Sequence, residues 1–230
     1  AALNELISTT FDKFTKVQLP GPRRLADLFS PLVRQGRLRF DTTHVEDAPL
    51  LQRLGLRGDI PDTAVVDLVG VINRNANPNK IDAYLHRTNK VVIRWDPDTG
   101  DVSERVTVTL HNDAPTEGLS QTVIGNDAGL PVGTNLTDVA VITPFELERV
   151  RVDGNDAGSN PLWDGDWWHH TTRVAIAAGA TVTVEFDLSG SVEPGNLYRL
   201  FVKGQPLVNE GATELVVQST TGRIIGGPGI

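Results

Sequence analysis

The feature that most limits how this chain can fold is a change in the spacing of its apolar residues near position 64. Before it, apolar side chains recur every three or four residues, as on a helix; after it they alternate with polar ones, as on a half-covered strand. "AVVDLVGVIN", "KVVIRW", "RVTVTL", "DVAVITPF", "ELERVRV", "TRVAIAA", "TVTVEFDLSG", "LYRLFVK" and "TELVVQS" follow in turn, rich in Val and Thr and separated by Gly, Pro, Asn and Asp. In "TVTVEFDL", Val182, Val184, Phe186 and Leu188 take one face, and Thr181, Thr183, Glu185 and Asp187 take the other. Short strands at this spacing predict an antiparallel β-sandwich of immunoglobulin-like architecture rather than alternating β-α units. The chain has no cysteine, so a disulfide-pinned antibody-type domain is not indicated.

The leading segment reads differently. In "LNELISTTFDKFTK", Leu3, Leu6, Ile7, Thr10, Phe11 and Phe14 form the stripe of an amphipathic helix, with no capping residue before it. Pro22 suits a first helical turn, and Leu25, Leu28, Phe29, Leu32 and Val33 form a second stripe that Pro31 is expected to kink or divide. "RLRFDTT" predicts a short strand, and "HVEDAPLLQRLG" a short helix started by Thr43 or Asp47 and ended at Gly55. A few helices and one lone strand cannot cover their own apolar faces, so this segment predicts the helical end of an upstream α/β domain. The partition expected is 1–62 helical remnant, 63–219 β-sandwich and 220–230 flexible Gly-rich tail. The chain lacks Met as well as an N-cap, which suggests a processed product or a piece of a longer protein.

A formal charge of -8 argues against a phosphate-backbone partner, which calls for a clustered basic face. Nucleic acid is therefore not expected. No apolar run reaches the length of a membrane-crossing helix.

Three stretches invite a chemical reading. "WDGDWWHH" gathers three of the four tryptophans, and Trp163, Trp167 and Trp168 beside Asp164 and Asp166 could stack on sugar rings or anchor a protein while the carboxylates accept hydroxyl hydrogens. The favoured alternative is a hairpin end whose tryptophans fold back over the sandwich. His169 and His170 point to opposite faces of a strand and cannot chelate together, so no metal site is expected. "WDPDTGDVSE" resembles a calcium loop only as far as Gly100 and reads better as a hairpin turn. In "NRNANPNKID" the asparagines either bind hydroxyls or fill turn positions, and Lys80, Asp82 and Arg87 are expected to form a local ion-pair network. No nucleophile elbow, zinc-protease helix, phosphate loop or dinucleotide fingerprint occurs, and neither a catalytic residue nor a cofactor is assigned.

Two stretches together resemble a known family. "VVDLVGVINRNANPNKIDAYLHR" carries Lys80, Ile81, Asp82, Tyr84, Leu85 and Arg87 in a Lys-Ile-Asp-x-Tyr-Leu-x-Arg pattern, and "VAIAAGATVTVEFDLSG" followed by "YRLFVKGQPLV" carries the Gln205-Pro206 step. They are similar to the C-terminal portion of the bacterial, mainly actinobacterial, envelope family known as domain of unknown function 4012. The resemblance implies an extracellular, cell-surface setting, with an upstream region similar in pattern to LytR-CpsA-Psr glycopolymer ligases and a membrane anchor in missing N-terminal sequence. It implies a non-catalytic module that supports or docks the upstream domain, or holds a cell-wall glycan or another envelope protein. Two other readings stay open: part of a glycopolymer transferase with its active site mostly upstream, and a carbohydrate-binding module.

Overall fold

The computed structural model describes residues 2–58, 60 and 66–221, in two compact units, Ala1–Asp59 and Ile60–Ile230. The boundary expected at 62/63 and residues 222–230 of the expected tail lie outside the described residues.

The first unit holds α1 (Ala2–Lys16), α2 (Pro22–Arg34) and α3 (Ala48–Arg53). Proline opens α2 at its first turn, yet Pro31 does not divide the helix, which runs on to Arg34. The segment "RLRFDTT" forms no strand. No strand among the described residues lies beside it to complete a ladder, and it is held instead by bonds that include Phe40 N–H to the Leu56 carbonyl at 2.9 Å and Arg39 Nη1 to the Gly55 carbonyl at 2.9 Å. Asp47 and Gly55 flank α3 as its spacing predicts, with Gly55 left-handed at φ 67°. Leu3, Leu6, Ile7, Phe11 and Phe14 are all exposed on α1.

The second unit is mainly β, two sheets face to face. Its strands are β1 (Asp67–Asn75), β2 (Leu85–Trp95), β3 (Asp101–Asn112), β4 (Asn135–Thr143), β5 (Glu146–Val152), β6 (Asn155–Asp156), β7 (Asn160–Trp163), β8 (Trp168–Ile176), β9 (Thr181–Ser191), β10 (Leu200–Lys203) and β11 (Ala212–Ser219). One sheet has the order β10-β1-β4-β8-β7, and the other β11-β2-β3-β9-β5-β6. Pairing is antiparallel except at one edge of each sheet, where β10 runs parallel to β1 and β11 runs parallel to β2. Alternation does the sorting. On β9, Val182, Val184, Phe186 and Leu188 are buried, as the sequence predicts, and meet Val69, Val91, Ile93, Trp95, Val139 and Val141 between the sheets. A smaller cluster of Ile81, Ala114 and Ile124 closes the space under the loops after β1 and β3.

The two ends of the sandwich differ. Asp67 opens β1 beside Tyr198, whose ring packs 5.4 Å from Trp95, and Ser219 at the end of β11 is paired with Trp95. At the opposite end Asn73, Arg87 and Gln205 meet. No helix among the described residues is long and apolar enough to cross a membrane.

Candidate functional site

The two stretches that carry the family resemblance lie far apart in sequence, and the fold joins them. Arg87, on an inward position of β2, is 6% exposed. Its Nη1 donates to Asn73 Oδ1 at 2.8 Å and to Gln205 Oε1 at 2.7 Å. Gln205 also accepts from the Asn73 N–H at 3.0 Å and donates to the Asn73 carbonyl at 2.8 Å, so its amide extends the β1 edge past β10. Ile81 is fully buried in the smaller cluster, with Tyr84 packed against it, and Leu85 starts β2 inside the main core. Asp82, Arg87, Gln205 and Pro206 line one small pocket with Asn73, Leu85, Leu207 and Val208. The expected ion-pair network is absent. Lys80 points to solvent, Asp82 accepts from Asn135 Nδ2 at 3.0 Å, and Arg87 takes neutral partners. Asn73 and Gln205 share its Nη1, and no hydrogen bond joins Asp82 to it.

The asparagine-rich loop folds on itself. Asn75 Nδ2 donates to Asn79 Oδ1 at 2.7 Å, Asn75 Oδ1 accepts from the Asn77 N–H at 2.8 Å, and Asn79 Nδ2 reaches the Gly125 carbonyl. The Asn75 and Asn79 amides thereby serve the turn, and Asn73 is taken by Arg87. "WDPDTGD" is likewise the β2–β3 turn: Asp96 Oδ1 accepts from the Asp98 N–H at 2.9 Å, and Gly100 sits left-handed at φ 81°.

"WDGDWWHH" is the β7–β8 hairpin. Trp163 and Trp168 are paired across it, their rings edge-on at 4.9 Å and 61°. Trp168 then stacks on His170 at 5.6 Å, and His170 is buried, with Nε2 donating to the Phe145 carbonyl at 2.9 Å. The aromatic row thus runs from solvent, where Trp163 is 48% exposed, into the space between the sheets. Burial lowers the His170 pKa, so the ring stays neutral and its Nε2 carries the proton. Trp167 lies in the turn, where its carbonyl accepts from the Asp164 N–H at 2.9 Å, and Gly165 supplies the left-handed step at φ 74°. Asp164 and Asp166 are exposed at the tip.

The other side of the same sheet presents a groove of about 590 Å³, lined by Ile72, Arg74, Asp138, Thr171, Arg173 and others, with Leu162 and His169 of the hairpin as one wall. At its centre Asp138 accepts from Arg74 Nη2 at 2.8 Å and from Arg173 Nε and Nη2 at 2.6 and 3.0 Å. These hydrogen bonds hold the Asp138 carboxyl below its ordinary pKa. Two guanidinium groups on one carboxylate leave one net positive charge, with spare N–H donors aimed at solvent. These three residues were not singled out from the sequence. Alternation puts each outward, but only the β1–β4–β8 register, Arg74↔Asp138↔Arg173, sets them side by side.

A third cluster is internal. Glu104 stands at an inward position of β3, 3% exposed, and neither carboxylate oxygen has a hydrogen-bond partner among the described residues. Burial, with the Asp67 charge added, pushes its pKa well up. Asp67 is 1% exposed, accepts a hydrogen bond from the Tyr198 hydroxyl, and is raised by burial to about 6. Asp67 and Tyr198 border a recess of about 690 Å³ lined also by Phe145, Gly190 and Pro194.

No family model matches this chain, and no curated protein matches it. Among solved structures it is similar to a nutrient binding protein from Legionella pneumophila, at 11% identity over 55% of this chain and 44% of that one, with a TM-score of 0.33. It is also similar to an M1 zinc metallopeptidase from Deinococcus radiodurans, at 13% identity over 46% and 20% with a TM-score of 0.26. Yeast LTA4 hydrolase in complex with bestatin is similar at 9% identity over 66% and 19% with a TM-score of 0.32. The chain thus spans less than half the length of each, and at these TM-scores the likenesses carry no argument about what it does.

Proposed function

We propose that this chain is a non-catalytic module of a bacterial cell-surface protein of the kind catalogued as domain of unknown function 4012, and that its sandwich holds a cell-wall glycan on the outward face of the β10-β1-β4-β8-β7 sheet. The family part of this reading is supported by the direct hydrogen bond between Arg87 and Gln205, which ties its two signature stretches together. The extracellular setting rests on the same resemblance.

One observation carries the binding part: Asp138 bridged by Arg74 and Arg173 on the floor of a groove that the tryptophan hairpin walls on one side. Fixed guanidinium donors and an ionised carboxylate are the groups that read sugar hydroxyls and acidic sugar substituents, and the groove volume falls in the range of roughly 300–1,000 Å³ typical of small-ligand sites. The tryptophans contribute through the hairpin they stiffen, since the Trp163–Trp168–His170 row turns to the inner side.

The test is titration of the chain with soluble cell-wall polysaccharide fragments, followed by amide NMR. Shifts are expected at Ala140, Thr171 and Arg173, and Arg173→Ala should weaken binding about tenfold, the worth of one charge-assisted hydrogen bond of roughly 1.5 kcal/mol. Shifts confined to the Asn73–Arg87 end, or binding untouched by Arg173→Ala and Asp138→Asn, would place the glycan elsewhere and end this reading.

A further inference from the structure

The groove on the outward face of the β10-β1-β4-β8-β7 sheet is built of rungs that run across neighbouring strands, and the rungs differ in character. Arg74, Asp138 and Arg173 stand in register on β1, β4 and β8. Two residues along, about 7 Å away at the rise of a strand, the rung is Ile72, Ala140, Thr171 and Asn160. Leu162 and His169 close the far end. A ring laid on Ile72 and Ala140 thus has a hydroxyl and an amide within its own rung and two guanidinium groups on the next.

What the charged rung shows to solvent is positive. The Asp138 side chain is 8% exposed, against 76% for Arg74 and 59% for Arg173, so the carboxylate is covered while the groups that clamp it stay open. Three N–H groups are spent on the clamp, and the others remain for a ligand. The clamp also holds both side chains in place beforehand, which lowers the entropy cost of binding. Negative groups gather away from this rung: Asp164 lies 3.7 Å from His169, and Asp166 is exposed at the hairpin tip. The chain as a whole carries a formal charge of -8, so the surroundings repel a dense polyanion and the rung favours a single acid group. Resting on the glycan reading above, we propose that the groove selects an acidic glycan, its ring over Ile72 and Ala140 and its singly charged group, a carboxylate or a phosphodiester, taken by Arg74 and Arg173. A neutral sugar of the same shape gains the hydrogen bonds without the charge pairing.

The experiment titrates the full chain with a disaccharide of glucuronic acid and N-acetylglucosamine, with its methyl ester, and with an N-acetylglucosaminyl methyl phosphodiester, following the Thr171 and Arg173 amides by NMR. The acid should bind about tenfold more tightly than the ester, the worth of one charge-assisted hydrogen bond, and added salt should erode that margin. Arg74→Gln keeps an amide donor and loses the charge, so it should narrow the acid-to-ester ratio. A response to the uronic acid alone, or to the phosphodiester alone, supports the proposal and names the group. Equal affinity for acid and ester in the native chain would overturn it and leave the glycan reading standing. So would cell-wall fragments that move Thr171 and Arg173 when neither acid probe does, or an undiminished ratio in folded Arg74→Gln. No response at the groove to fragments or to any probe would end both readings.

Discussion

Glu104 is the residue whose placement has the most measurable consequence. It occupies a β3 position where alternation demands an apolar side chain, and it meets no hydrogen-bond donor among the described residues. Both Glu104 and Asp67 have folded-state pKa values above their unfolded ones, so they favour the folded state fully below about pH 4 and lose that contribution as pH rises through the folded values. For Asp67, raised from 3.8 to about 6, the loss amounts to roughly 3 kcal/mol. Asp138 works the other way, since its lowered pKa gives stability that is lost only as pH falls below the carboxylate range. Urea unfolding midpoints should therefore decline from pH 4 to pH 8, and Glu104→Leu should flatten the decline and raise stability at pH 8 by roughly 1–3 kcal/mol. A midpoint that stays level or climbs over that interval would refute the assignment. Its inward parity was legible, because Glu104 falls in step with Val102, Val106, Val108 and Leu110, but nothing in "RVTVTL" and its flanks shows that it would be buried without a partner. The β3–β9 register adds its neighbour, Leu188.

At the scale of elements, period-two spacing located nine of the eleven strands, and the hairpin nature of "WDGDWWHH" was also readable. The exceptions share a cause. β6 and β7 are two and four residues long, and their residues are all exposed, so there is no buried face to impose alternation. "RLRFDTT" has strand-like composition and no partner, and composition alone does not make a strand. What spacing could not supply was pairing direction. β11 lies parallel to β2 over eight residue pairs, Ala212↔Thr88 to Ser219↔Trp95, and shields that edge of its sheet. Ending the chain before Ala212 would leave the β2 edge unpaired and ready to add a strand from another molecule. Such a truncation should elute from size-exclusion columns as dimers or larger species, with no such gain in mass for the 230-residue chain in parallel runs. A monomeric truncation would show that the β2 edge is protected by other means.

At the scale of the whole molecule, the second unit carries its own core, with both sheets contributing to one cluster of buried side chains. A chain starting at Ile60 should therefore unfold in a single cooperative transition with the acid-to-neutral decline described above. The helical segment alone should show little helix by circular dichroism, because α1 has 15 residues and isolated helices of about 12–15 residues are marginal in water. A non-cooperative melt of the sandwich fragment would contradict that division. The placement of Asp67 and Ser219 around Trp95 has a geometric corollary. Backbone arrives at and departs from the same pole of the sandwich, so a tether running through it fastens the body by one foot and leaves the Arg87 pole as the point of greatest reach. The loops at that pole are held out from the attachment by the full length of the strands.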